Sequence, residues 1–241
     1  MISVIIPTLF KINDAFFLKV IEEYLKVPDI SEIIIIDNTV DKVSKSKSYL
    51  KNSRIKLVID NDNLFVNPAW NYGVSIAENE YVVLANDDIF CRYYLFDKIK
   101  RYLKAEGTGI VTFTTLNCIY DHQLLDKIIN RKTITSIDTY ISSIDNIKGN
   151  DVLITDFKRK GMLFAFKKEN WVDIPDDLII WAGDDYIYME MVNKGLINVQ
   201  IYPYYIYHHD GGSKTCDIYK NMTIRNRCLK DEQIFKTKYN K

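Results

Sequence analysis

MISVIIPTLFKINDAFFLKVIEEYLKVPDISEIIIIDNT, residues 1–39, is the stretch that decides the fold. Two β-branched runs, ISVII at 2–6 and EIIII at 32–36, each end in turn-forming residues, Pro7-Thr8 and Asp37-Asn38. Between them Phe16, Phe17, Val20, Ile21, Tyr24 and Leu25 recur at the spacing of one helical face, until Pro28 stops the pattern. The order is β-α-β. Its two strands run parallel, with the helix laid across one face of their sheet.

The alternation continues outward from there. RIKLVID (54–60) reads as a strand, and Asn67-Pro68 as an N-cap followed by proline at the first helical position, opening a helix through about Ala77. EYVVLA (80–85) is a further strand that runs straight into Asn86-Asp87-Asp88. Continuous apolar strands alternating with amphipathic helices imply an α/β fold with a mostly parallel, Rossmann-like sheet covered on both faces. Ligands of such sheets bind beyond the carboxyl ends of the strands. The second half is less regular: a helix near 92–104, a strand GIVTFTT (109–115), a polar stretch at 121–158, a strand GMLFAFK (161–167), a helix over 184–194 stopped by Gly195, and a strand VQIYPYYIY (199–207). With no Gly/Ser linker and no internal repeat, one domain over 1–241 is expected, and 121–158 is its expected variable insertion.

Composition narrows the function. The 241 residues carry 32 Lys+Arg against 32 Asp+Glu, a formal net charge of zero, with 47% hydrophobic and 27% charged residues. That is globular composition, and it gives no overall attraction to nucleic acid. The strongest apolar run, Ile33-Ile34-Ile35-Ile36, falls far short of the roughly 18 residues a membrane span needs. MISVIIPT lacks the basic start and long apolar core of a secretion signal. Cys91, Cys118, Cys216 and Cys228 form no CxxC pair, so a reducing, cytoplasmic setting is expected, and a lean toward Ile, Lys, Asn and Tyr reads as AT-rich coding in a bacterium or a virus. Residues 43–56 hold five basic and no acidic side chains, and residues 213–241 hold eight basic against three acidic. Both read as solvated surface, and the second also suits peripheral contact with a membrane.

Three clusters carry chemistry. Asn86-Asp87-Asp88 follows an apolar strand, where carboxylates can hold a hard cation such as Mg2+ or Mn2+, or simply make a polar turn. Asp184-Asp185, after Trp181, opens a helix, where carboxylates are also favoured by the helix dipole. His208-His209 precede Asp210-Gly211-Gly212-Ser213, with glycines that permit close approach of backbone to a ligand.

In this order the segments SVIIPT, IIIIDNT, NPAWNYGVSIAENEYVVLANDD, GMLFAFKKENW, WAGDDYIYMEMVNKG and YHHDGGS resemble glycosyltransferase family 2, nucleotide-diphospho-sugar transferases of the GT-A fold. The resemblance covers roughly residues 2–213. It implies a nucleotide-binding half at about 1–105, an acceptor and catalytic half at about 106–213, and a basic C-terminal segment at 214–241. Pro7, Thr8 and Asp37 match positions that cradle base and ribose, and Asn71, in Asn71-Tyr72-Gly73, matches an asparagine near the donor. Asn86-Asp87-Asp88 matches the DxD-type motif, with Asn86 in place of the first aspartate. The resemblance therefore assigns Asn86 and Asp87 to the donor and Asp88 to the metal, Mn2+ or Mg2+. The histidine before the G-x-S turn completes such metal sites, and His208 and His209 both remain candidates. Asp185 matches the catalytic base and Asp184 its partner at the acceptor hydroxyl, although the family's usual Glu-Asp is Asp-Asp here. Trp181 either stacks on an acceptor sugar or is a core residue.

The resemblance implies an inverting, metal-dependent hexosyltransferase that moves a sugar from a nucleotide-sugar, UDP-hexose as the first choice, to a hydroxyl of a saccharide or lipid-linked acceptor. An acceptor hydroxyl needs a base in the transition state, a role assigned to Asp185. Two alternatives stand beside it. A sugar-1-phosphate nucleotidyltransferase needs a glycine-rich loop after the first strand, where the sequence is TLFKINDAF. A catalytically silent nucleotide-sugar or glycan-binding module keeps the fold without the reaction.

Overall fold

The opening β-α-β reading corresponds to β1 (Ile2–Thr8), α1 (Asp14–Leu25) and β2 (Ile30–Asp37) in a computed structural model, with β1 and β2 parallel. The structure describes residues 1–39, 47–59, 63–115, 138, 141, 149–155, 162–209 and 221–239. The chain continues through β3 (Ile55–Ile59), α2 (Asn67–Ile76), β4 (Tyr81–Ala85), β5 (Ile89–Phe90), α3 (Leu95–Leu103), β6 (Thr108–Thr115) and β7 (Val152–Ile154). It then forms β8 (Leu163–Lys167), α4 (Gly183–Asn193), β9 (Ile197–His208) and α5 (Met222–Ile234).

Among the described residues the strands make one nine-stranded sheet in the order β3-β2-β1-β4-β8-β6-β9-β5, with β7 also on β9. β3, β2, β1 and β4 are parallel, as the first half of the sequence implies. β8 enters antiparallel between β4 and β6, which restores the direction of β6 to that of β4. β9 is parallel to β6. The carboxyl ends of β1, β2, β4 and β9 therefore share one edge of the sheet.

Alternate residues sort the two faces, because successive side chains of a strand point to opposite sides. Val4, Ile6, Ile33 and Ile35 pack with residues of α1 and α3 such as Phe17 and Ile99. Ile5, Ile34 and Ile36 pack with Trp70 and Val74 of α2 and with Ile187 and Met191 of α4. Both faces are covered, so all four isoleucines of 33–36 are buried, each worth about 1.5–3 kcal/mol of transfer free energy. Gly73 has its reason here: a Cβ at that position would lie 2.4 Å from Cγ2 of Ile5, so α2 reaches β1 only because the residue has none.

Several local expectations are corrected. Asn67 is the first residue of α2 rather than its N-cap, the preceding Val66 has helical angles, and no side chain caps the helix. The Asn67 amide is engaged elsewhere, donating to the carbonyls of Leu178 and Trp181 at 3.1 and 3.3 Å. α3 begins at Leu95 rather than near 92, and α4 spans Gly183–Asn193, with Gly195 following at φ +76°. The β9 register skips from Phe113↔Ile201 to Thr114↔Tyr205, so residues 202–204 bulge out around a cis Tyr202–Pro203 bond. A proline has no N–H for the ladder, which places it at such an interruption. β5, β7 and α5 are elements that periodicity did not reveal. Of the stretch 121–158, only residues 138, 141 and 149–155 fall among those described, and His122, Asp210, Gly211, Gly212 and Ser213 lie outside them. Cys91 and Cys228 are buried thiols. Among the described residues no helix is long and apolar enough to cross a membrane.

Candidate active site

β4 ends at Ala85, and the polar turn that follows delivers Asn86, Asp87 and Asp88 to the carboxyl edge. The Asn86 amide donates to the Met162 carbonyl at 2.9 Å, which ties the turn to the residue before β8. Thr8, at the end of neighbouring β1, donates its hydroxyl to Oδ2 of Asp87 at 2.7 Å and accepts from the amide of Phe10 at 2.8 Å. Burial, and then the charge of Asp88, pushes the Asp87 carboxyl up to about 7, while the Thr8 hydrogen bond acts in the opposite direction. Two adjacent carboxylates in little water repel each other, and a cation would relieve that repulsion.

The two histidines are separated by geometry. β5 follows Asp88 directly and pairs antiparallel with the end of β9, Ile89 opposite His208. His208 thereby comes beside Asp88, with Nε2 3.1 Å from Oδ2. His209 donates its backbone amide to the Asp88 carbonyl at 2.8 Å, while its ring stacks on Phe16, centroids 4.5 Å apart. The imidazole facing the carboxylate is that of His208. A carboxylate oxygen beside an imidazole nitrogen suits Mn2+ and accommodates Mg2+ through the oxygen. Among the described residues no group of three or more His, Cys, Asp or Glu side chains gathers as a complete metal site.

Asp37 closes β2 with its side chain fully buried. Its Oδ1 accepts from the amide of Thr39 at 2.9 Å and from the Thr39 hydroxyl at 2.5 Å. Thr8 and Asp37 are register partners across β1 and β2, with Pro7 one step behind them. These residues border the same edge as Asp87 and Asp88.

α4 runs back from the opposite direction. Its last residue is followed within a few positions by β9, so its first turn, with Asp184 and Asp185, lies toward the edge where β9 ends. Both carboxylates are partly exposed. The segment 171–182 that leads to them is held at several points. Asn71, in α2, exchanges two hydrogen bonds with the backbone of Ile174, at 2.8 and 2.9 Å. That engagement explains why an asparagine stands there whatever it does toward a donor. Trp181 is 45% exposed, so it is not the core residue that the sequence left open. Ala182 has φ +60°, a left-handed conformation that costs a non-glycine residue of order 1 kcal/mol and persists only where its surroundings hold it. Gly183 lies against the Asn67 side chain, whose Oδ1 a Cβ at 183 would meet at 2.3 Å.

Sequence reasoning missed one of the residues that hold this segment. Asp231 of α5, completely buried, accepts through Oδ2 from the amides of Ile179, Ile180 and Trp181 at 3.1, 2.8 and 3.0 Å. Arg227, one turn earlier, donates to its Oδ1 at 2.8 Å and to the Asp177 carbonyl at 2.8 Å. The only signal in the sequence is an Arg-to-Asp spacing of four within a basic segment, and nothing there points to residues 179–181.

The sheet order and the polar residues at the strand ends fit the GT-A fold that the resemblance implies. Residues 3–169 match the model of glycosyl transferase family 2, and the chain belongs to that family of enzymes. No curated protein sequence matches it significantly. Among solved structures it is similar to Staphylococcus aureus TarS 1-349, at 12% identity and TM-score 0.57, over 99% of this chain and 73% of that one. It is similar also to the mannosyltransferase PcManGT of Pyrobaculum calidifontis in complex with GDP-Man and Mn2+, at 15% identity and TM-score 0.59, over 86% of this chain and 56% of that one. GalNAc-T7 with UDP, GalNAc and Mn2+ matches at 11% identity and TM-score 0.61, over 87% and 43% of the two chains. The chain thus spans about half the length of the last two. At these identities the likeness is one of fold.

Proposed function

We propose that this domain transfers a sugar from a nucleoside-diphosphate donor to an acceptor hydroxyl with inversion, in the presence of Mn2+ or Mg2+. UDP-hexose is the first choice of donor, and a glycan or a lipid-linked saccharide is the acceptor class. The observation that carries the reading is the Asp88–His208 pair, 3.1 Å apart at the carboxyl edge of the sheet. The complexes of PcManGT with GDP-Man and Mn2+ and of GalNAc-T7 with UDP and Mn2+ support it by analogy of fold.

In this reading Asp88 and His208 hold the cation, and Asn86 and Asp87 face the donor. A divalent cation there supplies charge neutralisation for the diphosphate that leaves. Thr8 orients Asp87, and Asp37 with Pro7 receives base and ribose, read by hydrogen bonds whose loss with a wrong base leaves buried groups unpaired. Asp185 takes the proton of the acceptor hydroxyl as the new carbon–oxygen bond forms, on the sugar face opposite the leaving group. Such proton transfer is worth roughly 10²- to 10⁴-fold in rate. Asp184 orients the hydroxyl, and the exposed ring of Trp181 offers a stacking surface to the acceptor sugar.

The test is a thermal-shift screen of nucleoside diphosphates and their sugars with Mn2+ and with EDTA, followed by product detection. A ligand at 100 times its dissociation constant stabilises by about 2.7 kcal/mol. Mn2+-dependent stabilisation with product supports the reading. Equal stabilisation in EDTA removes the cation from it, and binding without product on any acceptor leaves the silent binding module.

A further inference from the structure

We propose that Asp231 is a positioning residue for the reaction, and that α5 is thereby part of the catalytic apparatus. This rests on the reading of Asp185 as base. The segment 177–182 must hold the exposed Trp181 and the left-handed Ala182 in place immediately before Asp184 and Asp185, yet it contains no regular secondary structure of its own. Its backbone amides need acceptors, and three in a row point at one oxygen, Oδ2 of Asp231. A single carboxylate oxygen receiving three successive amides fixes the path of the chain more tightly than a neutral side chain would, because hydrogen bonds to an ionised acceptor are the stronger kind.

The arrangement is braced on both sides. Arg227 holds the other oxygen of Asp231 and the Asp177 carbonyl, so the carboxylate cannot turn without breaking a charged pair. The turn after α5 adds Lys238 and the Tyr239 hydroxyl on the Asp177 carboxylate, at 2.7 and 2.9 Å. Tyr239 also meets Tyr186 of α4 edge to face, centroids 5.3 Å apart. From the other side Asn67 donates to the carbonyls of Leu178 and Trp181. Amides on one side and carbonyls on the other are thus satisfied by two helices that are distant in sequence. The segment is clamped between them, and the first turn of α4 inherits its position.

The experiment compares the unsubstituted 241-residue chain with Asp231→Asn, Arg227→Gln and Asp185→Asn. Four quantities are read: UDP affinity in Mn2+ by calorimetry, kcat and acceptor KM on the donor and acceptor pair giving most product with the unsubstituted chain, and deuterium uptake of the peptide 177–185. Asp231→Asn is expected to raise uptake at 177–185 without raising it in β1, β2 or β4. It should lower kcat roughly 10- to 100-fold, the scale of a small misplacement of a reacting group, and leave UDP affinity within about two-fold. Arg227→Gln should act in the same direction and less, and it carries the test if Asp231→Asn does not fold. Uptake that rises with kcat unchanged, or uptake that does not change, overturns the proposal. Asp185→Asn should lower kcat with no change in uptake. If it keeps full kcat, the assignment of the base has failed while the uptake result still decides what Asp231 does to the segment.

Discussion

His208 and Asp88 are 120 residues apart in the chain, and their side chains meet at 3.1 Å. The contact exists because the backbone turns at Asp88 into the short strand β5, which lies antiparallel on the last residues of β9. One strand end presents the carboxylate and another presents the imidazole. The neighbour His209, one residue past the end of β9, instead stacks on Phe16.

If that pair holds the cation, the two histidines must differ in their effect. His208→Ala and Asp88→Ala should each weaken Mn2+-dependent UDP binding by at least about ten-fold, as loss of a ligand or its support does. His209→Ala should leave it nearly unchanged and cost only stability from the lost stacking, about 0.5–1.5 kcal/mol. Calorimetric titration of UDP in Mn2+ and in EDTA separates the cases. Equal losses at 208 and 209 would count against the assignment.

The acidic pair is expected to divide its work. Asp185→Asn preserves shape and removes the base, so turnover should fall by roughly 10²- to 10⁴-fold with donor affinity unmoved. Asp184→Asn should raise the acceptor KM with a smaller loss of kcat. Steady-state kinetics on both, with donor binding measured separately, would expose a reversed assignment.

Gly73 tests the fold independently of the chemistry. Gly73→Ala places a methyl 2.4 Å from Ile5 Cγ2, between α2 and β1. Overpacking of this kind costs about 1–3 kcal/mol, more than the modest gain in helix propensity returns. A urea midpoint that did not fall would mean that α2 can move away from the sheet at no cost.

Acid should loosen the turn after α5. Lys238 beside Asp177 holds the Asp177 carboxyl below the usual carboxylate range, with Tyr239 adding to the effect. A carboxyl lowered in the folded state adds stability at pH above its unfolded value of about 3.9, and that stability is lost as pH falls through the lower, folded value. Deuterium uptake at 235–239, corrected for intrinsic exchange, should therefore rise below about pH 4, relative to the strands. Asp177→Asn should show the raised uptake at neutral pH and little further change with acid.

The sequence by itself determined the parallel first half of the sheet. Runs such as Ile33-Ile34-Ile35-Ile36 can be buried on both faces only between two helical layers, and the intervening helix enforces parallel strands. It also determined which residues stand at strand ends, Asp37, Asp87 and Asp88 among them, since an apolar run followed by a polar turn is a local pattern. Tertiary structure alone decided the rest. The choice between His208 and His209 depends on which imidazole the end of β9 brings to Asp88, and that is set by pairing of His208 with β5, a strand of two residues too short to show a period. Asn67 reads locally as a helix cap, but it lies inside the helix, and its side-chain NH2 donates to the carbonyls of Leu178 and Trp181, more than a hundred positions away. Asp231 reads as one more charge in a basic segment. Its importance arises where three amides about fifty residues upstream converge on it, a relationship between backbone groups that every residue possesses and that no side-chain pattern records.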